Sequence, residues 1–230
     1  MKYDKEYIRK MFGRMIDDKY CYYARGEVVF RDVFSYEFNP NSRVLEFGCG
    51  IGQNLVKIKN KYGYDINKTI YPFLKEQGFI LYNSEEEIPD DYFDEILVHN
   101  VLEHLPNPLE TLKILRTKLK RNGKIRVLVP ALTYSHLISE WKEDMNDTVD
   151  GHYFGWTHYE LNYLLNQAGF RNLINEFVYR KGYERLIWFY KWGGFFPYYY
   201  LVHLAGRIQD LLYGNHFDLM VISKKNKENF

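Results

Sequence analysis

Cysteine is scarce in this 230-residue chain, with two copies, and so is proline, with seven. Cys21 and Cys49 alone cannot build a disulfide scaffold, and a reducing cytoplasm is the compartment that fits them. An excess of either charge is missing too: 31 Lys and Arg face 30 Asp and Glu, for a net charge of +1. Surfaces that track phosphates show clustered Lys and Arg. The basic residues between Lys113 and Arg126 read instead as a solvated helix face followed by a strand, so nucleic acid is not an expected partner. No stretch supplies the ~18 uncharged apolar residues of a membrane span. The nearest, Leu186 to Ala205, is broken by Lys191, Gly193-Gly194 and Pro197. The opening Met-Lys-Tyr-Asp-Lys-Glu-Tyr is too charged for a signal peptide. Internal repeats and low-complexity segments are absent as well.

What is abundant is apolar and aromatic. Hydrophobic residues make up 46% of the chain, enough for a full core in one domain with an added element. The 22 Tyr and 16 Phe are unusually many, and much of the excess follows residue 152. This predicts an aromatic-rich insertion at about 180–214. Within it, segment 186–205 suits a peripheral membrane contact, a buried substrate lid or an oligomer surface.

The most informative stretch is Arg43-Val-Leu-Glu-Phe-Gly-Cys-Gly-Ile-Gly-Gln-Asn54. It reads as a buried strand, Val44 to Phe47, running into glycines at 48, 50 and 52 and then a helical pattern. A strand that ends in a glycine turn and opens a helix sets free backbone N–H groups beside a ligand. The dinucleotide fingerprint G-x-G-x-x-G would need a third glycine where Gln53 stands, which speaks against a nicotinamide cofactor. Asp65 closes a second strand 17 residues after Gly48. An acid about 20 residues on accepts hydrogen bonds from ribose hydroxyls in comparable layouts, and the other reading of Asp65 is a turn or helix cap.

Strands are predicted near 43–47, 61–65, 78–82, 93–98, 123–129, 172–179 and 216–223, with helices near 52–60, 67–77 and 107–120 between them. Residues 3–36 read as one or two further helices. Alternating strands and helices imply an α/β, doubly wound, mostly parallel sheet. The expected division is an N-terminal helical cap at 1–37, a ligand-binding domain at 38–224 and a flexible tail at 225–230.

Taken in order, several blocks resemble the class I S-adenosylmethionine (SAM) methyltransferases, in their small-molecule branch of ubiquinone and polysaccharide-cluster type. They are Val44-Leu-Glu-Phe-Gly-Cys-Gly-Ile-Gly52, Tyr64-Asp65, Phe93-Asp94 with Val101-Leu-Glu-His-Leu-Pro106, Gly123 to Pro130, and His158 to Phe170. The resemblance implies a Rossmann-like seven-stranded sheet whose last strand is antiparallel, inserted between the fifth and sixth. It also implies SAM as cofactor. Gly48, Gly50 and Gly52 would approach the methionine part and ribose, and Asp65 would take the ribose hydroxyls. Glu46 would meet the ammonium, or else brace the loop. Asn83 and Ser84 would reach the adenine edge where the family often has an acid, with Ile66 and Ile88 over the ring faces or in plain core. His99 and Asn100 would line the methyl-donor end, His99 otherwise being a buried, satisfied histidine. Arg25 would pair with the SAM carboxylate or lie on a surface.

On the acceptor side, Asp150-Gly-His-Tyr-Phe-Gly-Trp-Thr-His158 is the richest segment. His152 is the preferred base, with Asp150 orienting a histidine; His158 is a second base or a helix cap. His104 is a third base candidate or a structural hydrogen-bonder. No metal is expected. The function read from all this is methyl transfer from SAM to a small-molecule or lipid- or sugar-linked acceptor, at oxygen. The alternatives are a non-catalytic SAM-binding regulatory subunit and a tRNA or protein methyltransferase.

Overall fold

The computed structural model describes residues 5–131, 153–179, 186–213 and 217–226. Two helices open it, α1 (Lys5–Asp17) and α2 (Lys19–Phe34). Asp18 separates them as the N-cap of α2, accepting the Tyr20 N–H at 2.9 Å. Then come β1 (Arg43–Phe47), β2 (Asn60–Tyr64), α3 (Tyr71–Glu76), β3 (Ile80–Leu81), β4 (Phe93–His99), α4 (Pro108–Lys118) and β5 (Leu119–Pro130). The remainder is α5 (His158–Gln167), β6 (Phe170–Tyr179), α6 (Ile187–Gly193), α7 (Phe195–Tyr213) and β7 (Phe217–Lys225).

The seven strands lie in the order β3-β2-β1-β4-β5-β7-β6. β1 to β5 run parallel, and β7 runs antiparallel between β5 and β6. This is the doubly wound sheet with an inserted reversed strand that the resemblance implies. Strand alternation sorts the core into two layers. Leu45, Phe47, Ile96, Val98, Ile125 and Val127 face α4 and α5 through Leu112, Leu115, Leu161 and Leu165. Val44, Leu97, Leu128 and Met220 face α2 through Val29, Val33 and Phe34.

The second layer departs from expectation. The helix predicted at 52–60 is a single 3-10 turn, Gln53–Leu55, and β2 starts at Asn60. Helix α2 occupies the space such a crossover helix would fill. At Gly26 it comes so close that a Cβ would stand 2.1 Å from the Gln53 carbonyl oxygen and 2.7 Å from Val56 Cγ2. The helix predicted at 67–77 likewise divides into a 3-10 turn, Lys68–Ile70, and the short α3. Lys225, expected to open a flexible tail, pairs with Phe170 in the sheet and its Nζ donates to the Leu119 carbonyl at 2.8 Å.

A buried cation fastens α2 to the sheet. Arg126 on β5 is fully buried and ion-pairs through Nε with Glu95 of β4. Its other nitrogens donate to the Val33 and Tyr36 carbonyls at 2.6 and 2.9 Å, satisfying acceptors that the end of α2 leaves open. Its guanidinium also lies 5.0 Å from the centroid of the Phe34 ring. The aromatic insertion docks on the far side of α2: Tyr199 Oη and His203 Nε2 reach Asp32 at 2.9 and 3.1 Å, and Tyr198 and Val202 pack against Val28 and Ile51.

Replacing one member of the buried pair should therefore be costly. Arg126→Met is expected to lower unfolding stability by about 3–5 kcal/mol, because it strands Glu95 in the core. The double variant Glu95→Leu/Arg126→Met should recover part of that loss. Urea denaturation followed by circular dichroism measures both, and a single variant as stable as the native chain would refute the clamp.

Candidate cofactor site

β1 leaves the sheet at Phe47 and enters a turn whose three glycines all have positive φ: 72° at Gly48, 49° at Gly50 and 74° at Gly52. Two of these positions are closed to a side chain by crowding as well. A Cβ on Gly48 would stand 2.4 Å from Val101 Cγ2, and one on Gly52 would stand 2.6 Å from Leu74 Cδ2. Helix α1 covers the middle of the turn, with the Phe12 ring 3.6 Å from where a Gly50 Cβ would lie. A groove of about 250 Å³ runs between α1 and the turn, lined by Arg9, Gly13, Ile51 and Phe73 among others.

The N–H groups of the three glycines are not free. Gly48 and Cys49 both donate to the Tyr64 carbonyl, at 2.8 and 3.1 Å, and Gly52 donates to the Cys49 carbonyl at 2.8 Å. Gly50 donates to Asp65 Oδ2 at 2.8 Å. With no α-helix following, no helix N-terminus faces a ligand either. An anion cradle of the pyrophosphate type is therefore missing here.

Around the turn, most of the buried side-chain groups that remain open are acceptors, the exception being the donor Asn67 Nδ2 beyond Asp65. Glu46 is buried at the end of β1; Asn54 Nδ2 donates to its Oε1, and its Oε2 has no partner. Gln53 Oε1 and Asn54 Oδ1 are buried and unpartnered beside it. Burial pushes the Glu46 carboxyl up to about 8, against the Asn54 hydrogen bond, and the Asp65 charge adds to the rise. Asp65 is raised by burial too, while the N–H groups of Asn67 and Gly50 and the Lys68 ammonium pull it back. Its Oδ1 accepts the Asn67 N–H at 2.8 Å, so each oxygen holds one hydrogen bond and keeps a lone pair for another. The site is thus shaped for a donor-rich, cationic ligand.

The other expected residues distribute unevenly. Ile66, next to Asp65, is 64% exposed at the rim, whereas Ile88 is core. Asn83 and Ser84 follow β3 as expected, but the Asn83 N–H donates to Glu87 Oε2 at 2.7 Å and Ser84 bonds Glu86. His99 ends β4, and Asn100 holds a positive φ of 54° there while its N–H donates to the Leu128 carbonyl. Arg25 is half-buried on α2, with its guanidinium against Met15 Sδ of α1.

Among the base candidates, His104 sits in the 3-10 turn Leu102–His104 just beyond β4. His158 is the first residue of α5, but Thr157 caps that helix, in a capping box with Glu160. Its Nε2 lies 3.2 Å from the Glu176 carbonyl of β6, and its ring lies 4.5 Å from the Phe177 ring. Burial lowers its basicity. β6 is the outer strand, four places from β1 and so roughly 19 Å from the glycine turn. His158 therefore braces α5 against the sheet edge. His152 and Asp150 lie outside the described residues. Among the described residues no cluster of His, Cys, Asp and Glu could hold a metal ion.

Sequence reasoning missed Asn54 and the orphaned acceptors, and it passed over Glu103 for the neighbouring histidine. A polar pair inside an otherwise apolar stretch, Gln53-Asn54, was the signal for the first. Glu103 between Leu102 and His104 carried no signal of burial.

A family model described as a methyltransferase domain matches residues 22–174, well over half of the chain. An uncharacterized protein of Methanocaldococcus jannaschii is 34% identical over 89 residues, which are 37% of this chain and 43% of that protein. The chain thus spans less than half the length of the curated relative it matches. Among solved structures, a SAM-dependent methyltransferase of Archaeoglobus fulgidus superposes with a TM-score of 0.57 at 20% identity, over 87% of this chain and 94% of that one. A SAM-dependent methyltransferase of Thermotoga maritima superposes with a TM-score of 0.60 at 17% identity, over 96% of this chain and 99% of that one. At these identities the likeness speaks for the fold. The family match, in contrast, runs unbroken from α2 through the glycine turn and the β4 exit into β6, and on that ground the chain belongs to the methyltransferase-domain family.

Proposed function

We propose that the protein transfers a methyl group from SAM to a hydroxyl oxygen of a small-molecule or lipid- or sugar-linked acceptor. The observation that carries this reading is the pairing of a glycine turn with committed N–H groups and buried carboxylates with unused acceptor capacity. Glu46 Oε2, with Gln53 Oε1 and Asn54 Oδ1, suits an ammonium, which brings three donors. The remaining lone pairs of Asp65 suit the ribose hydroxyls, and the exposed Ile66 suits an adenine face. Asn83 and Ser84 stand at the adenine edge through whatever capacity their Glu87 and Glu86 partners leave. His99 and Asn100 line the methyl end, and Arg25 is the candidate partner for the donor's carboxylate. The sulfonium of SAM supplies an activated methyl group, so the chain's task is alignment and exclusion of water.

Both cysteines are free and buried, as a protein of the reducing cytoplasm would keep them. A peripheral membrane contact is part of this reading. Trp188, Trp192, Phe196, Tyr200, Leu204 and Ile208 recur at every fourth position along α6 and α7, and all are exposed, Trp192 at 86%. Among the described residues no helix is long and apolar enough to cross a membrane. Trp and Tyr beside aliphatic side chains suit the headgroup boundary.

Calorimetry separates the cofactor classes: SAM should bind and NAD should not. Asp65→Ala should weaken SAM about 10- to 100-fold, the scale of one to two lost charged hydrogen bonds; unchanged affinity would remove Asp65 from the site. Glu46 adds a pH dependence. Its raised carboxyl is mostly protonated below about 8, and an arriving ammonium favours the ionised form. Binding at pH 6.5–7 should therefore release a proton, seen as a buffer-dependent enthalpy, and affinity should rise with pH up to about 8. Glu46→Gln should abolish the release. Transfer of labelled methyl from SAM into the small-molecule, RNA and protein fractions of a cell extract distinguishes this reading from a silent SAM-binding subunit and from a tRNA or protein methyltransferase. Sedimentation with phosphatidylcholine–phosphatidylglycerol vesicles tests the membrane contact: Trp188→Ser/Trp192→Ser should release the protein to the supernatant, and failure of the native chain to pellet would refute it.

A further inference from the structure

Among the described residues Glu103 is the acidic side chain whose two oxygens are both buried and both without a hydrogen-bond partner. It is 1% exposed, in the turn that follows β4. Native folds leave few such atoms unmet, and each one asks for an explanation.

Two contacts tie its backbone to the strand exits around the cofactor turn. Val101, two residues earlier, packs over Gly48 of the cofactor turn. The Tyr153 N–H donates to the Glu103 carbonyl at 2.7 Å, and Trp156, three residues on, bridges Ala131 just past β5. Residues 153–156 thus form a strap across the exits of β4 and β5. Its outer side chain Tyr153 is 67% exposed, while Trp156 is buried with its Nε1–H unpartnered. The Phe154 and Trp156 ring centroids lie 5.4 Å apart, with the rings tilted by 33°.

A carboxylate that accepts and an indole N–H that donates, on two segments joined by the Tyr153–Glu103 hydrogen bond, are complementary in hydrogen-bonding capacity. A hydroxyl meets both: its proton goes to the carboxylate and its oxygen accepts from the indole. Resting on the methyl-transfer reading, we propose that Glu103 and Trp156 form the subsite for the hydroxyl of a small-molecule acceptor, entered beneath the strap, with Glu103 as general base. The acceptor oxygen forms its bond to the methyl carbon as the carbon–sulfur bond breaks and that electron pair stays on sulfur. The hydroxyl proton passes to Glu103. Sulfonium and carboxylate are thereby exchanged for a neutral thioether and a neutral carboxylic acid, so charge balances. Burial pushes the Glu103 carboxyl up to about 8, its own backbone N–H opposing and the charge of Asp218 adding. A base poised there becomes fully available above about pH 8, so the rate rises through that range.

The test has two readouts. Infrared difference spectra between the native chain and Glu103→Gln should show a carboxyl band titrating near pH 8. Phenol, as a hydroxyl probe, should shift that titration to lower pH by donating to the ionised form, and anisole, which lacks the proton, should not. Trp156→Phe should reduce the phenol shift. Equal effects of phenol and anisole, or none from phenol, would overturn the subsite. In labelled-methyl transfer to the extract's small molecules, Glu103→Gln should lose about 100-fold or more in rate and the ascending limb of the pH profile. Glu103→Asp should keep part of both. A Glu103→Gln rate and profile equal to the native ones would overturn the base role. If SAM does not bind, the methyl-transfer reading fails, and the general-base step with it. The phenol response, which needs no SAM, still decides whether the hydroxyl subsite exists.

Discussion

The lobe above the sheet hangs on Arg126. Its guanidinium neutralises Glu95, closes the carbonyl end of α2 and rests on Phe34, so a helix from the N-terminus is fixed on a sheet face that a crossover helix would otherwise cover. Placing α2 there decides several things. Gly26 meets the Gln53–Leu55 turn and leaves no room for a helix after the glycines. Tyr22 comes close enough to Glu46 for that charge, together with burial, to push its phenol upward. Asp32 offers a mooring for Tyr199 and His203 of α7. The aromatic insertion is therefore moored on α2, and its second helix reaches β6 of the sheet as well.

Losing the crossover helix changes the electrostatics of the turn. A helix N-terminus would add positive potential and free donors, which suit a pyrophosphate. This turn instead spends the N–H groups of Gly48, Cys49, Gly50 and Gly52 on Tyr64, Cys49 and Asp65, and it leaves carboxylate and amide oxygens buried without partners. The glycines then serve close approach and tight folding, not anion binding. A positively charged nucleoside fits that inverted field better than a dinucleotide does, which is a stronger discriminator than the missing third glycine.

The strands, their order and the glycine turn were legible because each rests on a local pattern: alternation, a bounded apolar run, or glycine where φ is positive. The helix after the turn was not. Leu55, Val56 and Ile58 mimic a helical face, and what overrides it is α2, about 30 residues earlier, docked by an arginine about 70 residues later. No window of sequence contains that fact. The same limit applied to site residues. Asp65 and Glu46 are read from strand ends, and they lie at the ends of β2 and β1. His158 reads as chemistry because histidine titrates near neutrality, yet strand order puts it at the sheet's far side, against Phe177. Glu103 carries no sign of burial in the sequence, yet it is buried in the turn to which the Tyr153–Trp156 strap is bonded.

Two carboxyls, Glu46 and Glu103, are thus held in the protein interior with oxygens unmet, and burial raises both to about 8. Glutamate in an unfolded chain ionises near 4.3. Between those values the folded state holds more protons than the unfolded one, so each group subtracts stability as pH rises from about 4.3 toward 8. Neither group helps the fold, then, and neither is offset by a protein cation as Glu95 is by Arg126. The contrast is informative. Where this chain needs an acid for architecture, it supplies a guanidinium with every nitrogen occupied. Where it leaves an acid unneutralised, the acid stands at one of the two strand exits, β1 or β4, that Val101 brings together over Gly48. A cation at the first and a hydroxyl at the second would each relieve the local cost, so the imbalance that weakens the empty protein is one that the two proposed reactants would offset.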